Sequence, residues 1–79
     1  MADKEIIAYT GNECQESKKL IDLLEECNVE YTEKNVSENR DYLKELQARN
    51  IYSTPVIFIG EQVILGFQGE KIRELIQSI

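Results

Sequence analysis

Residues 55–65 set two short apolar runs, PVIFI and QVIL, on either side of Gly60 and Glu61. Strand-like runs parted by two turn residues pair with each other, which predicts an antiparallel hairpin. The rest of the chain supplies a sheet for it to extend. KEIIAY, residues 4–9, is a β-branched, aromatic-ended run that suits a buried strand. VEYTEKNV, residues 29–36, reads as a second strand, more polar and suited to a sheet edge. Between these two strands, Leu20, Ile21, Leu23, Leu24 and Cys27 recur at helical spacing with charges on the other face. SENRDYLKELQARN, residues 37–50, predicts a second helix with Ser37 as its N-cap and Tyr42, Leu43 and Leu46 turned inward. In the last segment Ile72, Leu75, Ile76 and Ile79 share one helical face. The order β-α-β-α-β-β-α implies an α/β domain spanning residues 1–79. Its first βαβ unit is expected to be parallel and right-handed, its hairpin antiparallel, and its helices to cover both faces of four strands.

Composition narrows the function. The chain has 79 residues, 42% hydrophobic and 30% charged, which fits one folded domain near the lower size limit. Its formal net charge is −6, with no basic cluster beyond Lys18 and Lys19, so nucleic acid and anionic membranes are not expected partners. The longest apolar run, residues 55–59, is far short of the ~20 residues of a membrane helix. The opening MADKEIIAYT lacks a signal-peptide layout, so the expected location is the cytoplasm. There is no histidine, the commonest general base and metal ligand, and no metal site is expected. Two cysteines are too few for a disulfide scaffold.

The chemistry centres on TGNECQESKK, residues 10–19. Cys14 falls where the first strand passes into the first helix. A helix N-terminus presents unpaired N–H groups and the positive end of the macrodipole, which favours a thiolate. Ser17, one turn on, can add a hydrogen bond to the sulfur. Glu13 and Glu16 oppose ionisation, and Lys18 and Lys19 partly offset them, so a moderately lowered pKa is expected. An inert, buried cysteine at a helix end is the alternative; polar neighbours on both sides of Cys14 argue for exposure. Cys27 lies on the apolar stripe and reads as a small core residue. Thirteen helical residues put it roughly 19 Å from Cys14, beyond the ~7 Å a disulfide allows.

Strand, Cys14 and helix, then STP before an apolar strand, then GFQG opening the last helix, together resemble a glutaredoxin of the monothiol C-x-x-S type. The resemblance covers nearly the whole chain. It implies a thioredoxin-like fold, a four-stranded mixed sheet flanked by three helices, with a cis Thr54-Pro55 bond beside Cys14. It also implies a glutathione site made by Cys14, Thr54, Pro55, Gly66, Phe67 and Gln68, with Ser17 stabilising the thiolate. Backbone N–H groups of the Gly66 to Gly69 turn would take the γ-glutamyl carboxylate. The sequence departs from the family at Gly11, where a lysine is common, and at Gln15 and Glu16, which replace Pro-Tyr. It departs again at Ser17, which replaces the second cysteine, and at Gln68, which stands where aspartate is frequent. Some relatives carry selenocysteine at the place of Cys14.

The activity so implied is reduction of mixed disulfides by one thiol, with glutathione as cosubstrate and no bound cofactor. Glutathionylated proteins or small disulfides would be the partners of a monomer. Three other readings stay open: an iron–sulfur cluster bridged between two chains, a non-catalytic adaptor, and a protein served by thioredoxin reductase. The Gly-Phe spacer of cluster-carrying monothiol relatives is absent.

Overall fold

A computed structural model describes residues 5–12 and 14–77. The described elements run β1 (Ile6–Thr10), α1 (Gln15–Glu26), β2 (Thr32–Asn35), α2 (Arg40–Gln47), β3 (Val56–Ile59), β4 (Gln62–Leu65) and α3 (Gly69–Gln77). The strands form one sheet in the order β2-β1-β3-β4. β1 pairs parallel with β2 and antiparallel with β3, and β3 pairs antiparallel with β4. The polar β2 stands at one edge, as its composition implied. The hairpin is closed by Gly60 and Glu61, with Ile59 opposite Gln62. Gly60 has φ +59°, the sign that a two-residue hairpin turn matched to the strand twist asks of its first residue.

Alternation along the strands sorts side chains onto two faces. Ile6, Ala8, Ile57, Ile59 and Ile64 meet Leu20, Leu23 and Leu24 of α1 and Ile72 and Ile76 of α3. Tyr9 and Val56 meet Leu46 of α2 on the other face, with Ile7, Tyr42 and Phe58 at its margin. β1 and β3 are therefore covered on both sides, which explains why their sequences are continuously apolar. Leu75 packs half-buried beside Ile72 and Ile76; Ile79, expected on the same stripe, lies outside the described residues. The Arg73 guanidinium donates to Glu26 Oε2, joining α3 to α1.

The helix ends correct one expectation. Ser37 is not the cap of α2. The helix begins three residues later, where Asn39 Oδ1 accepts the Asp41 N–H at 3.0 Å. An asparagine and a serine are equally good caps, and here the Ser37 hydroxyl is engaged elsewhere, accepting the Asn12 N–H at 3.0 Å. At the other end of α2, Asn50 has φ +62°. Its N–H bonds Gln47 O, and the Ile51 N–H bonds Leu46 O at 3.0 Å, the two bonds of a Schellman closure. Asn28, with φ +57°, ends α1 in the same left-handed region. Cys27 is the C-cap of α1 and is half-buried against the core, rather than fully inside it.

A polar clamp fastens α2 to the sheet. The buried Tyr9 hydroxyl donates to Glu45 Oε1 at 2.8 Å, and Lys34 Nζ donates to the same oxygen at 3.2 Å. The Lys34 ammonium lies 5.5 Å from the Tyr9 ring centre and 5.6 Å from that of Tyr42. Burial first, then the Glu45 contact, push the Tyr9 phenol above its ordinary pKa. The Glu45 hydrogen bond raises that of Lys34, and the Tyr9 hydrogen bond lowers that of Glu45.

Candidate active site

β1 delivers the chain to a short turn, Gly11 and Asn12, and α1 leaves from it. Cys14 is the N-cap of α1, with extended backbone (φ −106°, ψ 110°), and its thiol is partly exposed. The turn is held from three directions. The Gly11 N–H donates to Ser17 Oγ at 3.2 Å. Asn12 donates its N–H to Ser37 Oγ and accepts on Oδ1 from Asn35 Nδ2 at 2.8 Å. Asn35 in turn accepts the N–H groups of Ser37 and Glu38. Gly11 lies so close to the segment before β3 that a Cβ there would stand 3.3 Å from Thr54 Oγ1. A side chain at this position would need the Thr54 hydroxyl to shift by a few tenths of an ångström.

The Thr54-Pro55 peptide is cis, and Pro55 is buried. This arrangement presents the Thr54 carbonyl to Cys14, whose Sγ stands 3.6 Å from that oxygen. The protonated thiol donates to it. The thiolate has no proton to give and instead takes hydrogen bonds from the other side. The Ser17 hydroxyl is the main reason that the Cys14 pKa lies below its ordinary value; burial acts against it, and the N–H groups of Ser17 and Glu16 and the Thr54 side chain add to it. Glu16, expected to oppose ionisation, thus also supports the thiolate through its backbone. Glu13, the other expected opponent, lies outside the described residues. Ser17 itself is 3% exposed, a buried hydroxyl with its acceptor side filled by Gly11.

The Gly66, Phe67 and Gln68 turn follows β4, on the far side of β3. Gly66 has φ +78°, and its N–H donates to Pro55 O at 2.8 Å, which ties the turn to the cis proline. That N–H is therefore committed within the protein. The Phe67 ring is half-buried against the core and covers Gly69. Gln68 is exposed, but its Nε2 donates to Leu65 O at 2.9 Å. A recess of about 290 Å³ is lined by Gln68, Gly69, Glu70 and Lys71 at the start of α3.

A larger cavity, about 470 Å³, opens on Cys14 from the opposite flank, with walls from β1, α1 and β2. Thr10, Lys18, Glu33 and Asn35 line it, and none of them was singled out from the sequence as a site residue. Nor were Asn12, Asn35 and Ser37 as supports of the turn. The only local signal for them is the Asn35-x-Ser37 spacing of an Asx turn. Among the described residues no group of three or more His, Cys, Asp or Glu could hold a metal ion, and no helix is long and apolar enough to cross a membrane.

Comparison with known proteins agrees with this geometry. No curated protein sequence matches the chain. Among solved structures, the thioredoxin-like protein BC3987 is 32% identical with a TM-score of 0.83, over 90% of this chain and 99% of that one. The glutaredoxin (grx-1) from Archaeoglobus fulgidus is 26% identical with a TM-score of 0.79, over 96% of this chain and 89% of its own. NrdH-redoxin from Escherichia coli, 24% identical, shares the fold with a TM-score of 0.81 over 90% and 93%. The Glutaredoxin family model matches residues 6–64, a span that holds Cys14, Ser17 and the cis Thr54-Pro55 and stops just before the Gly66 turn. Fold, thiol and family match converge: the chain belongs to the glutaredoxin family, thiol–disulfide oxidoreductases built on the thioredoxin fold.

Proposed function

We propose that this glutaredoxin works by a monothiol mechanism with glutathione as cosubstrate. The observation that carries the reading is Ser17. It occupies the place of a second thiol, buried and bonded to Gly11, and a hydroxyl cannot resolve a disulfide. The resolving sulfur must come from outside. The Cys14 thiolate attacks the glutathionyl sulfur of a mixed disulfide, and the target leaves as a thiolate that takes a proton from water. A second glutathione thiolate then attacks the sulfur carried on Cys14, forming glutathione disulfide and freeing Cys14. Thr54 and Pro55 would align the bound glutathione, and the Gly66, Phe67 and Gln68 turn with the α3 N-terminus would take its γ-glutamyl end. No resident cofactor is needed. A monomer in a reducing compartment such as the cytoplasm suits this chemistry.

A second reading has its own support. Gly66 and Gln68 spend hydrogen-bonding groups inside the protein, which weakens the case for a strong glutathione grip. NrdH-redoxin is described as having a thioredoxin-like activity profile, so thioredoxin reductase is the competing electron source. One assay separates them: disulfide reduction by the native protein and by Cys14→Ser, coupled to glutathione with its reductase or to thioredoxin reductase. The monothiol reading expects saturable dependence on glutathione and loss of activity in Cys14→Ser. Activity that survives the substitution, or that runs on thioredoxin reductase alone, defeats it. If the natural gene encodes selenocysteine at position 14, the same assay on the selenol form should run faster and to lower pH.

A further inference from the structure

The sheet order β2-β1-β3-β4 puts the recess at the start of α3, after β4, and the cavity beside β2 toward opposite edges of the sheet, and Cys14 lines the second. The one at the start of α3 belongs to the glutathione site proposed above. The other, between α1 and β2, has no role in that reading, although Cys14 forms part of its wall. At about 470 Å³ it lies within the ~300–1,000 Å³ of small-molecule sites. Its lining carries opposite charges. Lys18 projects from the first turn of α1, and Glu33 comes from β2. Glu33 is exposed but anchored: its Oε2 accepts from Thr10 Oγ1 at 2.8 Å, and Thr10 is 2% exposed. The Asn12 and Asn35 amides, bonded to each other at 2.8 Å, add a polar wall, and Ile21 an apolar one. A carboxylate, an ammonium and amides around one cavity complement a ligand that bears both an ammonium and a carboxylate.

We propose that this cavity receives one half of the disulfide that Cys14 attacks, and that it selects amino-acid-type thiols, with their ammonium toward Glu33 and their carboxylate toward Lys18. The assignment rests on Cys14 being the nucleophile, and it names the substrate class on the flank away from Gln68. The reaction is a single exchange. The Cys14 thiolate attacks one sulfur of R–S–S–R, the new Cys14 disulfide forms as the old one breaks, and the departing thiolate takes a proton from water.

The test is the rate of that capture, followed by mass spectrometry with no glutathione present. Four small disulfides serve as probes: cystamine with two ammonium groups, dithiodiglycolate with two carboxylates, zwitterionic cystine, and neutral hydroxyethyl disulfide as the reference. Relative to the neutral probe, Glu33→Gln should slow cystamine and cystine by about threefold to fivefold, the size of one exposed ion pair. Lys18→Gln should slow dithiodiglycolate and cystine to a similar degree. Glu61→Gln makes the same change in net charge at the hairpin turn, at the far end of the strands, and should keep the wild-type ratios. Equal shifts in Glu33→Gln and Glu61→Gln, or no shift in either cavity variant, overturn the proposal. Intact ratios without glutathione-dependent turnover would sink the monothiol glutathione reading and leave this one standing; normal turnover with flat ratios would do the reverse.

Discussion

The Gly11 N–H donates to Ser17 Oγ at 3.2 Å, across the turn that carries Cys14. With its acceptor side occupied, the hydroxyl is oriented to give its proton to the sulfur, and it is the largest cause of the lowered thiol pKa. The serine that replaces a second cysteine is thus part of how the first one is ionised.

Ser17→Ala should therefore raise the Cys14 pKa and slow its alkylation near neutral pH. The expected loss is a few-fold to about tenfold, the worth of one hydrogen bond of roughly 1 kcal/mol. Iodoacetamide kinetics across pH would show it. An unchanged pH profile would mean that the helix end alone sets the thiolate.

The same shift makes stability depend on pH. Cys14 ionises more easily in the fold than in the unfolded chain. Its contribution is present above the ordinary thiol pKa of about 8.5 and is lost as pH falls through the folded value. Compared with Cys14→Ser, the native protein should gain melting temperature as pH rises through that window and level off beyond it. A difference that shrinks with rising pH would contradict this sign.

At the alkaline end Tyr9 acts oppositely. Its folded pKa is raised by burial and by Glu45, so its contribution is full below the ordinary value of about 10 and fades as pH climbs through the folded one. Tyr9→Phe should cost about 1 kcal/mol near neutral pH, from the lost bond to Glu45. It should also flatten the alkaline fall in stability. Chemical denaturation at two pH values measures both.

Asn39 and Ser37 should separate in mutagenesis. Asn39→Ala removes the cap of α2 and should cost about 1 kcal/mol of stability. Ser37→Ala leaves that cap intact but frees the Asn12 N–H, so its effect should fall on the Cys14 turn, read as altered thiol reactivity with little change in helicity. A larger loss of helicity in Ser37→Ala than in Asn39→Ala would restore serine as the cap.

Local pattern was enough for much of this molecule. The apolar runs of VIFI and QVIL, the two residues between them and the stripe of Leu20, Leu23 and Leu24 announce strand, turn and helix because side-chain period is a property of neighbouring residues. Cys14 at the first strand–helix junction and Ser17 one turn later were legible for the same reason. Which distant residues meet was not. Ser37 and Asn39 both suit a helix cap, and only the approach of Asn12 to Ser37 decided between them. The Phe67 ring, expected to face a ligand, packs instead against a core built from distant elements. The cavity beside Cys14 joins Lys18 of α1 to Glu33 of β2, residues far apart in the chain. Their meeting follows from the parallel pairing of β1 and β2, which brings the C-terminal ends of both strands to the same edge of the molecule. Sequence by itself determined the order of the elements and placed the candidate thiol, Cys14, at the first strand–helix junction. Tertiary structure alone decided what surrounds the sulfur, since hydrogen bonds and cavities are made where separate elements converge.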